Sequence, residues 1–251
     1  MNKNTWAIAK LNLKNIKTPF FVTGLIFVIL FVQNIVYTII AVSSKSAGEQ
    51  LQISCADYLW LLIIMAAIII PTKNFRRIVN LGGKRDGFFW GSLACYAILA
   101  AAVTIATTFI YYTYERLLIS TGYFTSYEAF IQNPALMDDH YVSVTLTEVF
   151  GWVGNGAVIA FFQQFAFLFL LATVVHTFTA LQDKWYGWVT DAIIAAILGT
   201  FIPIAPLRVL LLGFFNLIIF NSNAFVQISS CILLAIAVYS LSKPIFARKA
   251  I

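Results

Sequence analysis

The chain has 251 residues, of which 61% are apolar and 10% charged, and its mean hydropathy is +0.88. Ordinary globular domains carry about 25% charged residues, so this composition excludes a soluble core and predicts an all-α integral membrane protein. The net charge of +6 is spread beside apolar runs and not over a polar domain, which argues against a nucleic-acid partner.

Residues 1–19 come first. Trp6, Ala9, Leu13, Ile16 and Phe20 share a narrow arc at 100° per residue, flanked by Lys10, Lys14 and Lys17. This predicts an amphipathic helix over Thr5–Thr18, ended by Pro19 and lying at the membrane interface. Trp6, Leu13 and Ile16 would face lipid, and the three lysines would face anionic headgroups.

Spanning the hydrocarbon takes about 20 mostly apolar residues. Runs that qualify are Phe20–Ala41, Asp57–Pro71 with its lead-in from Leu51, Phe88–Tyr112, Val149–Val175, Trp188 to about Ile202, and Ala224–Leu241. The first run is longer than the usual h-region of about 7–15 residues, so it reads as a span, although Ala41-Val42-Ser43 resembles a cleavage site. Pro203 and Pro206 break the fifth apolar tract, and residues 203–223 are expected to form a short external helical hairpin between spans five and six.

Six spans put both termini on one side. Thirteen of the sixteen Lys and Arg residues fall in the N-terminal segment, the second and fourth loops and the tail. Lys45, Arg116 and Arg208 fall opposite. The positive-inside rule then makes the termini of this multi-pass chain cytoplasmic.

Residues 113–148 form the longest polar stretch, with Glu115, Glu128, Asp138, Asp139 and Glu148 against Arg116. A solvated, partly ordered external loop is expected. Asp138-Asp139-His140 is not read as a metal site, because adjacent side chains rarely converge on one ion. The cysteines Cys55, Cys95 and Cys231 imply neither disulfides nor metal binding.

Inside the spans, Gln33-Asn34 and Gln163-Gln164 are candidates for a substrate path, against the simpler reading of interhelical hydrogen bonds. His176 and Asp191 are placed near a membrane surface. Neither a phosphate-cradling G-x-x-x-x-G-K-[ST] loop nor a dinucleotide fingerprint, H-E-x-x-H or G-x-S-x-G element occurs. No catalytic residue, metal site or cofactor is assigned to this chain.

The segment 72–87 concentrates charge between spans two and three. Lys73, Arg76, Arg77, Lys84 and Arg85 surround an apolar stripe of Phe75, Ile78 and Val79, and Gly82-Gly83 follows. Orientation alone requires the charges but not the stripe. With the aromatics and glycine entering span three (Phe88-Phe89-Trp90-Gly91), this segment resembles the small Gram-positive branch of type-2 ABC exporter permeases, including exporters of phenol-soluble modulins and lantibiotic-immunity permeases. That resemblance implies a cytoplasmic coupling helix at 72–87 that docks on a separate ABC ATPase subunit carrying ATP and Mg. Phe75, Ile78 and Val79 would be the docking face, and Arg76, Arg77, Lys84 and Arg85 would pair with acidic residues or headgroups. It also implies a bacterial cell membrane, a second permease subunit, identical or a sister chain, and an amphipathic peptide cargo. The competing readings are a lipid-linked or small hydrophobic cargo, a non-transporting immunity or sensor protein that binds peptide at its external loop, and a vitamin-binding component of an importer.

Overall fold

The computed structural model describes residues 3–44, 51–122, 124–133, 141–182 and 185–248. Lys45, Asp138, Asp139, His140, Lys184 and Lys249 lie outside the described residues.

Helices α1 (Lys3–Asn15) and α2 (Lys17–Ser44) open the chain. Their break falls at Ile16 and not at Pro19. Proline suits the first turn of a helix, where its missing N–H would have no partner, so Pro19 lies in the first turn of α2 instead of ending α1.

Strand β1 (Leu51–Ile53) leads into α3 (Cys55–Asn80), whose start is capped by the Ser54 side chain accepting from the Ala56 N–H. Pro71 does not end this helix. A π-type turn over Ile70–Asn74 absorbs the absent donor, and the helix resumes over Phe75–Asn80. The expected loop at 72–87 is therefore mostly the last turns of a span. What separates α3 from α4 (Arg85–Ser120) is a tight turn in which Gly82 and Gly83 donate backbone N–H bonds to Val79 and Ile78. Gly82 takes φ +80°, the left-handed cap geometry that glycine adopts without penalty.

Helix α4 also outruns its apolar pattern. A second π-type turn, Tyr111–Glu115, carries it past Tyr112 to Ser120. Beyond it come β2 (Phe124–Ser126), α5 (Tyr127–Gln132), β3 (Tyr141–Val144) and α6 (Leu146–Val149). The strands form a three-stranded sheet in the order β1-β3-β2, both pairs parallel, with Ile53 opposite Val144 and Thr125 opposite Val142. An all-α reading did not anticipate this sheet. Its strands are three or four residues long, too short for alternation to show.

Four more helices follow among the described residues: α7 (Ala157–Leu181), α8 (Trp185–Phe201), α9 (Ala205–Phe220) and α10 (Ala224–Arg248). Between Gly187–Phe201 and Ala205–Phe220 the axis turns by 116°, at the segment containing Pro203. Among the described residues five helices are long and apolar enough to cross a membrane, six if the bent pair is one span. This is consistent with a multi-pass α-helical membrane protein.

Contacts divide the chain into two units. The first takes residues Met1–Lys17, Ile63–Ala100 and Phe165–Ile251; the second takes Thr18–Leu62 and Ala101–Gln164.

Candidate functional site

In the first unit, α1 seats on the start of α4 through a pair of glycines four residues apart. A Cβ added at Gly87 would lie 2.9 Å from Ile8 Cδ1, and one at Gly91 would lie 2.8 Å from Ile8 Cγ2. Only glycine admits Ile8 this closely, the small-residue logic of helix pairs in membranes. Asn12, fully buried, adds polar ties: its Nδ2 donates to Ser92 Oγ at 3.2 Å, and its Oδ1 accepts from Asn74 Nδ2 at 3.1 Å. The buried face of α1 is thus Thr5, Ile8, Ala9 and Asn12, continued by Ile16 at the break before α2. Of the residues expected to face lipid, Ile16 is buried in protein, Leu13 is half-buried, and Trp6 is exposed with Lys10 over its ring at 5.6 Å. Lys14 and Lys17 are exposed.

The turn at 81–84 is held from behind by an aromatic cluster. Phe75 packs on Phe88 and Phe246 at centroid distances of 5.1 and 4.8 Å, and Phe246 in turn meets His176 at 5.3 Å. His176 is fully buried, with Nδ1 2.6 Å from the Tyr96 hydroxyl, so it does not reach a membrane surface as its position in the sequence suggested. Asp191 is half-buried and accepts from Gln182 Nε2 at 2.6 Å.

This cluster redraws the expected docking face. Phe75 and Ile78 are buried in the chain's own interior, at 0% and 2% exposure, because the stripe that α3 carries past Pro71 is covered by α4 and α10. Val79 is half-buried. Two of the cations are also engaged within the chain: Arg77 donates to Asn15 Oδ1 at 3.2 Å, and Arg85 donates to the Ala247 carbonyl. The outward surface is made of Lys73, Arg76, Leu81 and Lys84, with Leu81 72% exposed. Beside it lies an open cavity of about 540 Å³ lined by Thr5, Ile8, Gly82, Gly83, Lys84 and Trp90, among others.

In the second unit the notable groups are acids. Glu115 was expected in a solvated loop; it is 1% exposed, and its two carboxylate oxygens accept from Ser54 Oγ at 2.5 Å and Ser143 Oγ at 2.7 Å. It thereby joins the residue after β1, the middle of β3 and the end of α4. Asp57, also buried, accepts the Leu146 backbone N–H at 2.8 Å. Glu148 accepts from the Tyr111 hydroxyl at 2.8 Å, and the Tyr127 backbone N–H and Thr145 hydroxyl also reach it. Burial pushes the Glu148 carboxyl above its ordinary value, more than these neutral donors pull it down. These three acids were missed as a group, since their partners are distant in sequence.

The glutamines and asparagine of the spans do not converge. Gln33 is exposed and donates to Tyr37 Oη at 3.2 Å, while Asn34 is buried. Gln163 accepts from Asn155 Nδ2 at 3.1 Å, and Gln164 accepts from Thr107 Oγ1 at 3.0 Å. Gln164 borders a cavity of about 10 Å³ with Thr107, Tyr111 and Thr147, roughly the space of one water. All three cysteines are free and buried, and no cluster of three or more metal-ligating side chains occurs among the described residues.

Comparison with protein-family models, with curated proteins and with solved structures finds no match.

Proposed function

We propose that this chain is the membrane-spanning subunit of an ATP-driven exporter, working with a separate ATPase subunit and a second permease subunit, and that its cargo is an amphipathic peptide. The observation that carries the reading is the turn between α3 and α4. It offers Arg76, Leu81 and Lys84 outward while Phe75 and Ile78 root it among α4, α7 and α10. A topogenic patch needs charge but no rigid root. Here the turn cannot shift without moving Phe88, Phe246 and the ring of His176 behind it, which suits a part that passes an ATPase's motion into the spans. In this reading the turn and both termini are cytoplasmic, and the sheet is external, in a bacterial cell membrane.

The test is whether a stand-alone ATPase is encoded beside this chain and co-purifies with it, with ATP hydrolysis as the second readout. Arg76→Glu combined with Leu81→Asp is expected to abolish association and leave the chain folded, since both positions are exposed. Retained association would overturn the assignment of this turn as the docking surface, and the absence of any neighbouring ATPase would favour a non-transporting protein that holds peptide at its external face.

A further inference from the structure

The second unit contains a cavity of about 360 Å³ lined by Tyr111, Arg116, Ile119, Ser120, Ser126, Glu148 and Val153. That volume falls within the roughly 300–1,000 Å³ of small-molecule sites. Its wall carries one cation and one acid that do not pair with each other. The Arg116 guanidinium lies 5.3 Å from the Tyr112 ring centroid, and among the described residues neither it nor Glu148 forms an ion pair. Glu148 is held by neutral donors alone: Tyr111 Oη, the Tyr127 N–H and Thr145 Oγ1. Ser126 Oγ accepts from the Ala129 N–H at 3.2 Å and keeps its own O–H to donate. A ligand filling this space gains most by bringing a positive group to Glu148 and a negative group to Arg116.

The position of the cavity narrows the class further. Tyr111, Arg116, Ile119 and Ser120 all sit on the last turns of the membrane-length helix α4, and Val153 lies shortly before the start of α7. Leu117, beside Arg116, is 63% exposed, and Phe109 is 67% exposed. Apolar helix surface thus runs from the cavity along the span, as acyl chains do. We propose that this cavity binds the headgroup of a phospholipid bearing a primary ammonium, with Arg116 and the Ser126 hydroxyl on the phosphate and Glu148 accepting N–H bonds from the ammonium. A guanidinium matches phosphate oxygens in fork geometry. An ammonium supplies Glu148 with the charged donor that its protein neighbours lack. The site is independent of the transport reading.

The probe is a set of lipids with identical acyl chains and phosphoethanolamine, phosphocholine or phosphoglycerol headgroups, titrated onto the full chain in detergent and read by native mass spectrometry and by thermal shift. The phosphoethanolamine lipid is expected to bind at least fivefold more tightly than the phosphocholine lipid, which carries the same charges but no N–H. Arg116→Gln is expected to weaken all three lipids. Glu148→Gln is expected to erase the preference for the ammonium. Should Glu148→Gln fail to fold, Ile119→Trp, which fills the cavity from a half-buried position, is expected to remove the preference instead. Equal binding of the phosphoethanolamine and phosphocholine lipids would overturn the assignment. So would displacement by a lysine-bearing amphipathic peptide with no headgroup preference, which would mark the cavity as a peptide site.

Discussion

Asn12 and Asn74, 62 positions apart, share a hydrogen bond of 3.1 Å in the interior of the first unit. With the second bond from Asn12 to Ser92, one buried amide ties α1 to both helices that flank the basic turn. Asn12→Leu is expected to cost about 1–3 kcal/mol, the penalty for leaving buried donors and acceptors unsatisfied. A double-mutant cycle with Asn74→Ala, read by thermal unfolding in detergent, should show the two changes coupled. Strict additivity would mean that the bond contributes nothing.

The glycine pair makes a steric prediction. Gly91→Val would bring its Cβ to 2.8 Å from Ile8 Cγ2 and 3.1 Å from the Thr5 carbonyl oxygen. Ile8 cannot yield without lifting α1, so the substitution is expected to release this helix at a cost of about 1–3 kcal/mol. A cysteine at Ala9, buried in the parent, should then react with a maleimide that the parent excludes. Slow labelling in both backgrounds would show that α1 stays seated.

How much of this was open to a reader of the sequence differs by element. The spans were legible because burial in lipid demands long apolar runs, and the break after α8 was announced by Pro203 and Pro206. The continuation of α3 through Pro71 was not, because a π-type turn depends on what packs around it. Periodicity put Phe75, Ile78 and Val79 on one face correctly. It does not say what covers that face, and Phe246, far along the chain, was already there. Glu115 looked like a loop acid because its partners, Ser54 and Ser143, lie on other elements. Charge in a sequence marks polarity, and only the fold tells whether it is satisfied by water or by protein.

Glu148 sets the sign of a pH effect. Its folded-state carboxyl titrates above the ordinary 4.5 because of burial, so the native chain holds a proton that the unfolded chain has already lost. Stability from this group is full below about 4.5 and is lost as pH rises through the raised value. Hydrogen exchange over residues 141–149 should be slower at pH 5 than at pH 7.5, after correction for intrinsic rates. Glu148→Gln should reduce the difference, leaving what Asp57 contributes through its bond from the Leu146 N–H. A segment that loosens on acidification would contradict this assignment.

Glu115 makes a different prediction, since its carboxylate is the shared acceptor of two strand-side hydroxyls. Glu115→Leu strands both, and hydrogen bonds to charged groups are worth about 1.5–3 kcal/mol each. The loss should appear as protease cleavage near β1 and β3 with the first unit still protected. Ser143→Ala removes one of the two bonds and should produce the same cleavage at a lower rate.

The sheet imposes an order on biogenesis. Its central strand, β3, is made last, so β1 must wait while α3 and α4 are synthesised and inserted, and β2 waits through α5 as well. Until residue 144 emerges, neither edge strand has a template: β1 stays unpaired past two completed helices, and β2 past the short α5. Pairing across such separations is the slow kind of folding step. Maturation of this protein is therefore gated after insertion, and a ribosome stalled before β3 should leave the spans in place with β1 and β2 open to any other strand that reaches them.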